Sequence, residues 1–235
     1  MTFTILGRDP SNGELGIGIG TYSLAVGATC PQILPGVGVA TSQASTNPAI
    51  GVELMELLKG GADPAGALDQ AVANDPHPEF RQVALLTPDG NALVHSGSNT
   101  KPFSGYVSGE NCVAVGNFLA GENVLEAMVA GFEAGSQGRS LAEQLISALE
   151  GGKGAGGQKE IGGTHLAERS ACLMVAAPGE PFPIDIRVDF SDDAIPALRD
   201  AYAAYAPMHR HYLARAENPI DLPYQYDVVR SLKST

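Results

Sequence analysis

Hydrophobic and polar residues alternate in two stretches near the start of the chain. Residues 2–8 alternate in the way typical of a β-strand, and residues 14–21 do so again with glycine at several alternate positions. Between them lies the run Asp9-Pro10-Ser11-Asn12-Gly13, a dense cluster of turn-forming residues. The pattern predicts a β-hairpin.

The register of this hairpin follows from its turn. If Asp9 lies opposite Glu14, counting outward along the antiparallel ladder places Thr2 opposite Thr21, with Ser23 just beyond. The end of the second strand is therefore expected beside the N-terminus.

Further strands and helices follow from the same periodicities and from helix-capping residues such as Asn47, which precedes Pro48. The remaining predicted strands cover residues 37–41, 82–87, 91–96, 107–116, 170–176 and 184–189, and the predicted helices cover residues 48–59, 64–74, 124–134, 141–149 and 193–215. The third and fourth helices are separated by Gly135-Ser136-Gln137-Gly138. The last twenty residues are expected to form a docking or trailing tail.

The order of these elements predicts the fold class. Strands and helices do not alternate regularly, which disfavours a doubly wound parallel sheet and favours an α+β fold with mainly antiparallel sheets and segregated helices. We assign residues 1–190 to one sandwich domain and residues 191–235 to a C-terminal helix and tail packed on the same domain.

Two glycine-rich segments invite a ligand-binding interpretation. The G-x-G-x-G run at residues 16–20 differs in spacing from a dinucleotide-binding motif, so we predict close packing by another layer, with approach of a substrate as the alternative. Residues 151–163 lack the Gly-Lys-Ser/Thr sequence of a phosphate loop. We predict a mobile surface loop there, with an active-site lid as the alternative.

Composition narrows the function classes. A net charge of −12 over 235 residues repels phosphate backbones and anionic membrane surfaces, so we expect no nucleic-acid partner and no membrane association. No apolar run approaches the roughly 18–20 residues that span a bilayer, and the three cysteines are widely spaced in apolar runs. We expect a cytoplasmic protein with reduced thiols, although Cys30 or another cysteine could be a nucleophile instead.

Thr2 offers distinctive chemistry. Methionine before a small residue is readily removed, and its removal would leave Thr2 with a hydroxyl and an α-amine on adjacent carbons. An α-amine has a pKa of roughly 7.7–8.0, so a fraction of it is neutral at pH 7 and can accept the hydroxyl proton. While Met1 is present, the nitrogen of Thr2 is an amide and cannot act as the base. The structural alternative is an ordinary threonine in a strand.

Several sequence blocks resemble the domain-of-unknown-function family numbered 1028. They are the opening Met-Thr-Phe-Thr-Ile, Arg8-Asp9-Pro10, Gly13-Glu14-Leu15-Gly16, Thr41-Ser42-Gln43, Thr46-Asn47-Pro48, Arg81-Gln82 and Gly116-Asn117-Phe118-Leu119-Ala120-Gly121. The resemblance covers roughly Thr2 to Asp189. It implies the four-layer αββα sandwich of N-terminal nucleophile (Ntn) hydrolases, which cleave amide bonds with an N-terminal Thr, Ser or Cys.

Other residues are candidates to assist Thr2 or to bind the substrate. Asn117 is the candidate oxyanion donor, or alternatively a cap of the following helix, because it follows an apolar strand and carries a neutral amide donor. Thr21 and Ser23 are candidates to orient the amine or relay its proton, or else ordinary strand-end hydroxyls. The candidate substrate-binding residues are Gln43, Ser42 and Ser170. Arg8, at the far end of its strand, is expected to pair with Asp9 or a C-terminal carboxylate.

We predict no metal and no cofactor. His209 and His211 are two residues apart on a predicted helix and point to different faces, and His77 and His95 are isolated. His165, near Glu168, is the one histidine with a candidate catalytic or metal role.

The leading hypothesis is an Ntn-type amidohydrolase that cleaves a small amide or peptide-like substrate with Thr2 after removal of Met1. The alternative is a non-catalytic protein of this fold that retains Met1 and binds a small ligand or a partner. A third option is an enzyme that uses an internal hydroxyl or Cys30. A homodimer is the expected assembly.

Overall fold

A computed structural model describes residues 1–134 and 138–232. Its strands are β1 (Thr2–Asp9), β2 (Glu14–Thr21), β3 (Pro31–Leu34), β4 (Gly38–Ala44), β5 (Arg81–Leu86), β6 (Ala92–Ser96), β7 (Gly105–Ser108), β8 (Cys112–Asn117), β9 (Gln158–Lys159), β10 (His165–Leu166), β11 (Ser170–Ala176) and β12 (Ile184–Val188). Its α-helices are α1 (Pro48–Lys59), α2 (Pro64–Ala73), α3 (Asn123–Glu133), α4 (Leu141–Gly154), α5 (Ala194–Glu217) and α6 (Gln225–Leu232). The predicted helix break at residues 135–138 lies largely outside the described residues.

The strands form two main antiparallel sheets. The first sheet has six strands in the order β12-β11-β2-β1-β8-β7, and the second has four in the order β3-β4-β5-β6. The long strand β1 lies near the centre of the first sheet, between β2 and β8. Both neighbours of β1 therefore end beside its first residue.

Three apolar layers hold the four structural layers together. Phe3 and Ile5 of β1 pack with residues of α3, α4 and α5 on the outer face of the first sheet. Leu6, on the opposite face of β1, packs with residues of both sheets in the middle layer. The third layer joins α1 and α2 to the second sheet. The αββα sandwich predicted from the sequence is confirmed.

The glycine face of β2 packs against helices. A Cβ atom added to Gly16 would lie 2.6 Å from Leu145 Cδ1 of α4, and one added to Gly20 would lie 3.1 Å from Ile195 Cδ1 of α5. Real Cβ atoms essentially never lie within 3.0 Å of a neighbour and rarely within 3.4 Å, so a side chain at either position would crowd the helix layer. The glycines thus let the helix layer approach the first sheet.

The segment 151–163 differs from the prediction. Gly151–Gly154 form the last turn of α4, and Gln158 and Lys159 pair with Leu166 and His165 in a short antiparallel ladder. Gln158 is fully buried, and its side-chain amide is satisfied there because it donates to Gly20 O at 3.2 Å and accepts from Tyr22 N at 3.2 Å. The prediction of a mobile surface loop was therefore wrong for these residues.

The C-terminal segment contains more structure than a trailing tail. The helix α5 packs on β11, β12 and α4, and α6 follows it with no buried residue. Within the described ranges, no helix has the length and apolar character needed to cross a membrane.

Candidate functional site

Four polar side chains form a row across one end of the first sheet. Thr2 pairs with Thr21 of β2 and with Asn117 of β8, and Thr21 pairs in turn with Ser170 of β11. Register partners present their side chains on the same face of a sheet, so Asn117, Thr2, Thr21 and Ser170 lie side by side. All four are buried. We call this set the polar row.

The hydroxyl of Thr2 is held by Thr21. The Thr2 Oγ1 to Thr21 Oγ1 distance is 3.2 Å, and Thr21 Oγ1 donates its hydrogen to the carbonyl oxygen of Met1. Because Thr21 has one hydroxyl hydrogen, the hydrogen of the Thr2–Thr21 contact comes from Thr2. Thr21 Oγ1 also lies 3.2 Å from the backbone N–H of Ser23. The structure thus brings together Thr2 and Thr21, the pair predicted from the sequence.

Ser170 and Ser23 fix the segment beside Thr21. Ser170 Oγ donates to Ser23 O at 2.7 Å and accepts from Val26 N at 3.1 Å, which uses its hydrogen and one lone pair. The side chain of Ser23 is exposed, and only its backbone takes part. Both residues therefore position Thr21 in this arrangement.

A buried amide network from the second sheet supports the polar row. Thr4, two residues along β1 from Thr2, donates to Gln43 Oε1 at 2.6 Å, and Gln43 Nε2 donates to Gln82 Oε1 at 2.9 Å. Gln82 Oε1 also accepts from Asn117 Nδ2 at 2.9 Å, and Gln82 Nε2 donates to Gly116 O at 3.0 Å. Hydrogen bonds thus join these four side chains into one continuous buried network, which restrains their positions. It fixes β1 and β8 relative to the second sheet.

Ser42 does not join the polar row. Side chains alternate along a strand, and Gln43 faces the first sheet, so Ser42 faces the opposite way. There it shares its side of β4 with Ala40, which packs against α1 and α2. Its buried Oγ has no hydrogen-bond partner within the described residues.

Asn117 has an unused acceptor. Its Oδ1 is buried and has no hydrogen-bond partner in the part of the chain that the structure describes. One of its two amide hydrogens is donated to Gln82, which leaves the second. Asn117 therefore has both a donor and an acceptor available next to Thr2.

The α-amino group of Met1 is partly buried at this end of the sandwich. Burial lowers its pKa from 8.0 to about 6, because desolvation disfavours the ammonium form. Burial also raises the pKa of the Cys30 thiol. Cys30 is thus held in its protonated form, which is a poor nucleophile.

This amine makes the stability of the Met1-bearing protein depend on pH. Between pH 6 and 8 the unfolded chain binds more protons at this group than the folded chain, so the free energy of unfolding rises with pH over this window. We expect the free energy of unfolding, measured by urea denaturation, to rise by about 2–3 kcal/mol over this window. An N-terminally acetylated control, which lacks the titrating amine, should not show this rise. An equal slope in both proteins would contradict the assignment.

The other candidates proposed from the sequence are not members of the polar row. His165 is exposed, whereas the buried Glu168 carboxylate accepts from Lys153 Nζ at 3.2 Å. Arg8 donates to Pro88 O at 2.6 Å instead of pairing with Asp9, because it faces the end of the second sheet. Across residues 1–134 and 138–232, no group of three or more His, Cys, Asp and Glu residues is arranged to hold a metal ion.

Comparisons with known proteins match the chain to one family model and to solved structures. The model of the Family of unknown function (DUF1028) matches residues 2–198. The crystal structure of protein SPO2555 from Silicibacter pomeroyi, matched to the same family, is 29% identical with a TM-score of 0.78, over 87% of this chain and 86% of that chain. No curated protein sequence matches the chain.

Two distant matches are structures of Anbu, an ancestral β-subunit. Anbu from Yersinia bercovieri is 13% identical with a TM-score of 0.39, over 94% of this chain and 98% of that chain. Anbu from Hyphomicrobium sp. strain MC1 is 12% identical with a TM-score of 0.37, over 94% of this chain and 100% of that chain.

Proposed function

Because the chain belongs to DUF1028, a family of unknown function, its activity has to be inferred from the site, and we propose that it is an Ntn-type amidohydrolase with Thr2 as nucleophile. Removal of Met1 generates the active form, and the substrate is a small amide or peptide-like molecule. The observation that carries the proposal is the polar row, in which Thr2 lies between Thr21 and Asn117 at the start of a buried strand.

In the proposed reaction, the freed α-amine of Thr2 accepts the hydroxyl hydrogen while Oγ1 attacks the amide carbonyl carbon. The carbonyl oxygen gains the negative charge and is stabilised by the remaining amide hydrogen of Asn117. The amine leaving group departs with the proton from the α-ammonium group, which leaves an ester on Thr2. Water, deprotonated by the same amine, then hydrolyses this ester.

The hydrogen bond from Thr21 supports this order of events. In the Met1-bearing chain, Thr21 Oγ1 donates to the Met1 carbonyl oxygen, and removal of Met1 eliminates that acceptor. Thr21 is then available to the hydroxyl or the α-amine of Thr2. Gln43 and Ser170, whose side chains already bond within the protein, serve in this proposal to position the row.

A second candidate function is binding without catalysis. The carbonyl of Met1 accepts a hydrogen bond from Thr21 and the α-amine of Met1 is partly buried, which is the arrangement expected if Met1 is a permanent part of the fold. In this case the protein binds a small ligand or a partner.

Intact-mass measurement of the protein purified from its native host distinguishes the two. The hydrolase proposal predicts a mass lower by one methionine and amide hydrolysis that copurifies with this form. A preparation that consists entirely of Met1-bearing chains would contradict it.

A further inference from the structure

A cavity of about 290 Å³ lies beside the polar row. It is lined by Phe118, which directly follows Asn117 of the polar row, and by Ala44, which directly follows Gln43. Successive Cα atoms are 3.8 Å apart and paired residues about 4.5–5.5 Å apart, so the Phe118 Cα lies at most about 9 Å from the Thr2 Cα. We call this cavity the Lys101 pocket, after the lysine in its wall.

The lining of the Lys101 pocket combines aromatic surface with a cation. Phe80 and Phe118 provide aromatic walls, and Lys101, Asn99 and Thr100 provide polar groups. Among the described residues that line the pocket, none is acidic. This composition suits a ligand with a short apolar part and a negative charge.

In the described part of the structure, Lys101 lacks the carboxylate partner that some other cations of this acidic chain have. Lys153 lies 2.8 Å from Asp193 Oδ1, and Arg199 Nη2 lies 2.8 Å from Glu150 Oε2. Within residues 1–134 and 138–232, the ammonium of Lys101 has no carboxylate within 4.0 Å. Its charge remains available to an anion.

The pocket walls are held in unusual backbone conformations. Ala44 has φ 72° and Phe118 has φ 57°, a left-handed region that is unfavourable for residues with a Cβ. Such strain persists only where the surroundings enforce it, and it clusters at functional sites. Here Phe118 N donates to Lys101 O at 3.1 Å, and Phe118 O accepts from Lys159 N at 2.8 Å. The first of these bonds ties the backbone of Lys101 to Phe118, the residue that follows Asn117.

We propose that the Lys101 pocket binds the acyl part of an anionic amide, namely the monoamide of a short dicarboxylic acid. The inference rests on the proposed function and names its substrate class. The free carboxylate pairs with the Lys101 ammonium and the Asn99 side-chain amide, the methylene chain packs against Phe80 and Phe118, and the amide carbonyl reaches Thr2. At about 290 Å³ the cavity is just below the roughly 300–1,000 Å³ typical of ligand pockets, which suits a short acyl chain.

The first test compares two chromogenic amides with the Met1-free protein. Glutaryl-p-nitroanilide carries the carboxylate, and its carboxamide counterpart differs only by replacement of that carboxylate with a neutral amide. A charge-assisted hydrogen bond contributes about 1.5–3 kcal/mol, so kcat/KM should favour the carboxylate by about 10- to 100-fold. The ratio of kcat/KM for the carboxylate to kcat/KM for the carboxamide should fall to about one in Lys101→Gln and below one in Lys101→Glu. The matched control Lys59→Gln, which alters a lysine at the end of α1, should keep the wild-type ratio. Equal cleavage of both amides would overturn the inference and leave the hydrolase proposal standing.

The second test measures binding without turnover. In the Thr2→Ala background, titration calorimetry should show that glutaryl-p-nitroanilide binds at least about 10-fold more tightly than the carboxamide, and that Lys101→Gln removes the difference. This result, together with absence of cleavage by the Met1-free wild type, would support the pocket and contradict the hydrolase. Equal affinity for the two amides, or binding of neither, would overturn the pocket assignment.

Discussion

Replacement of Thr2 with alanine is expected to lower kcat/KM for amide hydrolysis by at least about 10³-fold. Alanine keeps the α-amine but lacks the hydroxyl that forms the acyl ester, so the covalent route is lost. Since alanine is also small, methionine should still be removed from this variant. Its activity can therefore be compared directly with that of the Met1-free wild type, by steady-state kinetics and intact mass on the same samples.

Thr2→Ser and Thr164→Ala are the matched controls. Serine keeps a hydroxyl at the same position and should restore most of the lost activity, while Thr164 is an exposed threonine outside the polar row. Each variant should unfold cooperatively in a thermal melt. Undiminished hydrolysis by Thr2→Ala would show that another group is the nucleophile and would contradict the proposed mechanism.

Replacement of Asn117 with alanine is expected to lower kcat by about 10²–10³-fold, because the amide hydrogen that stabilises the oxyanion is lost. KM for a small amide should change much less, since the interaction strengthens as negative charge develops on the carbonyl oxygen. Stopped assays over a range of substrate concentrations separate the two parameters.

Asn117→Asp separates two roles for this residue. Aspartate keeps an acceptor where Oδ1 lies but has no amide hydrogen. If Asn117 stabilises the oxyanion, Asn117→Asp should be as slow as Asn117→Ala. If Asn117 instead holds the α-amine through Oδ1, Asn117→Asp should remain active, and its pH–rate profile should shift to higher pH because a nearby negative charge raises the pKa of an amine.

The hairpin register can be predicted because the information is local. The turn at Asp9–Gly13 fixes which residues face each other, and the pairing of Thr2 with Thr21 is confirmed residue by residue. The pairing of Thr2 with Asn117 joins positions far apart in the chain. No turn connects these strands directly, so their register depends on how the whole sheet assembles.

Only part of the amide network can be predicted from the sequence. Gln43 stands out as a substrate-binding candidate, but its partner Gln82 does not, although both are buried glutamines in strands of the second sheet. The period of two along a strand also implies that adjacent Ser42 and Gln43 face opposite layers. Gln158 is not predicted from the sequence for another reason. The glycine-rich composition around it suggests a loop, so its hydrogen bonds to Gly20 and Tyr22 are not expected.

The hydrogen bond from Thr21 to the Met1 carbonyl has a consequence for how activity would begin. In the proposed mechanism, Met1 is a propeptide of one residue: it caps the catalytic amine and also occupies the hydroxyl that would otherwise assist Thr2. The chain would then fold as an inert precursor, with every element of the site already in place. The onset of hydrolysis would be set by a separate aminopeptidase, without any rearrangement of the sheets.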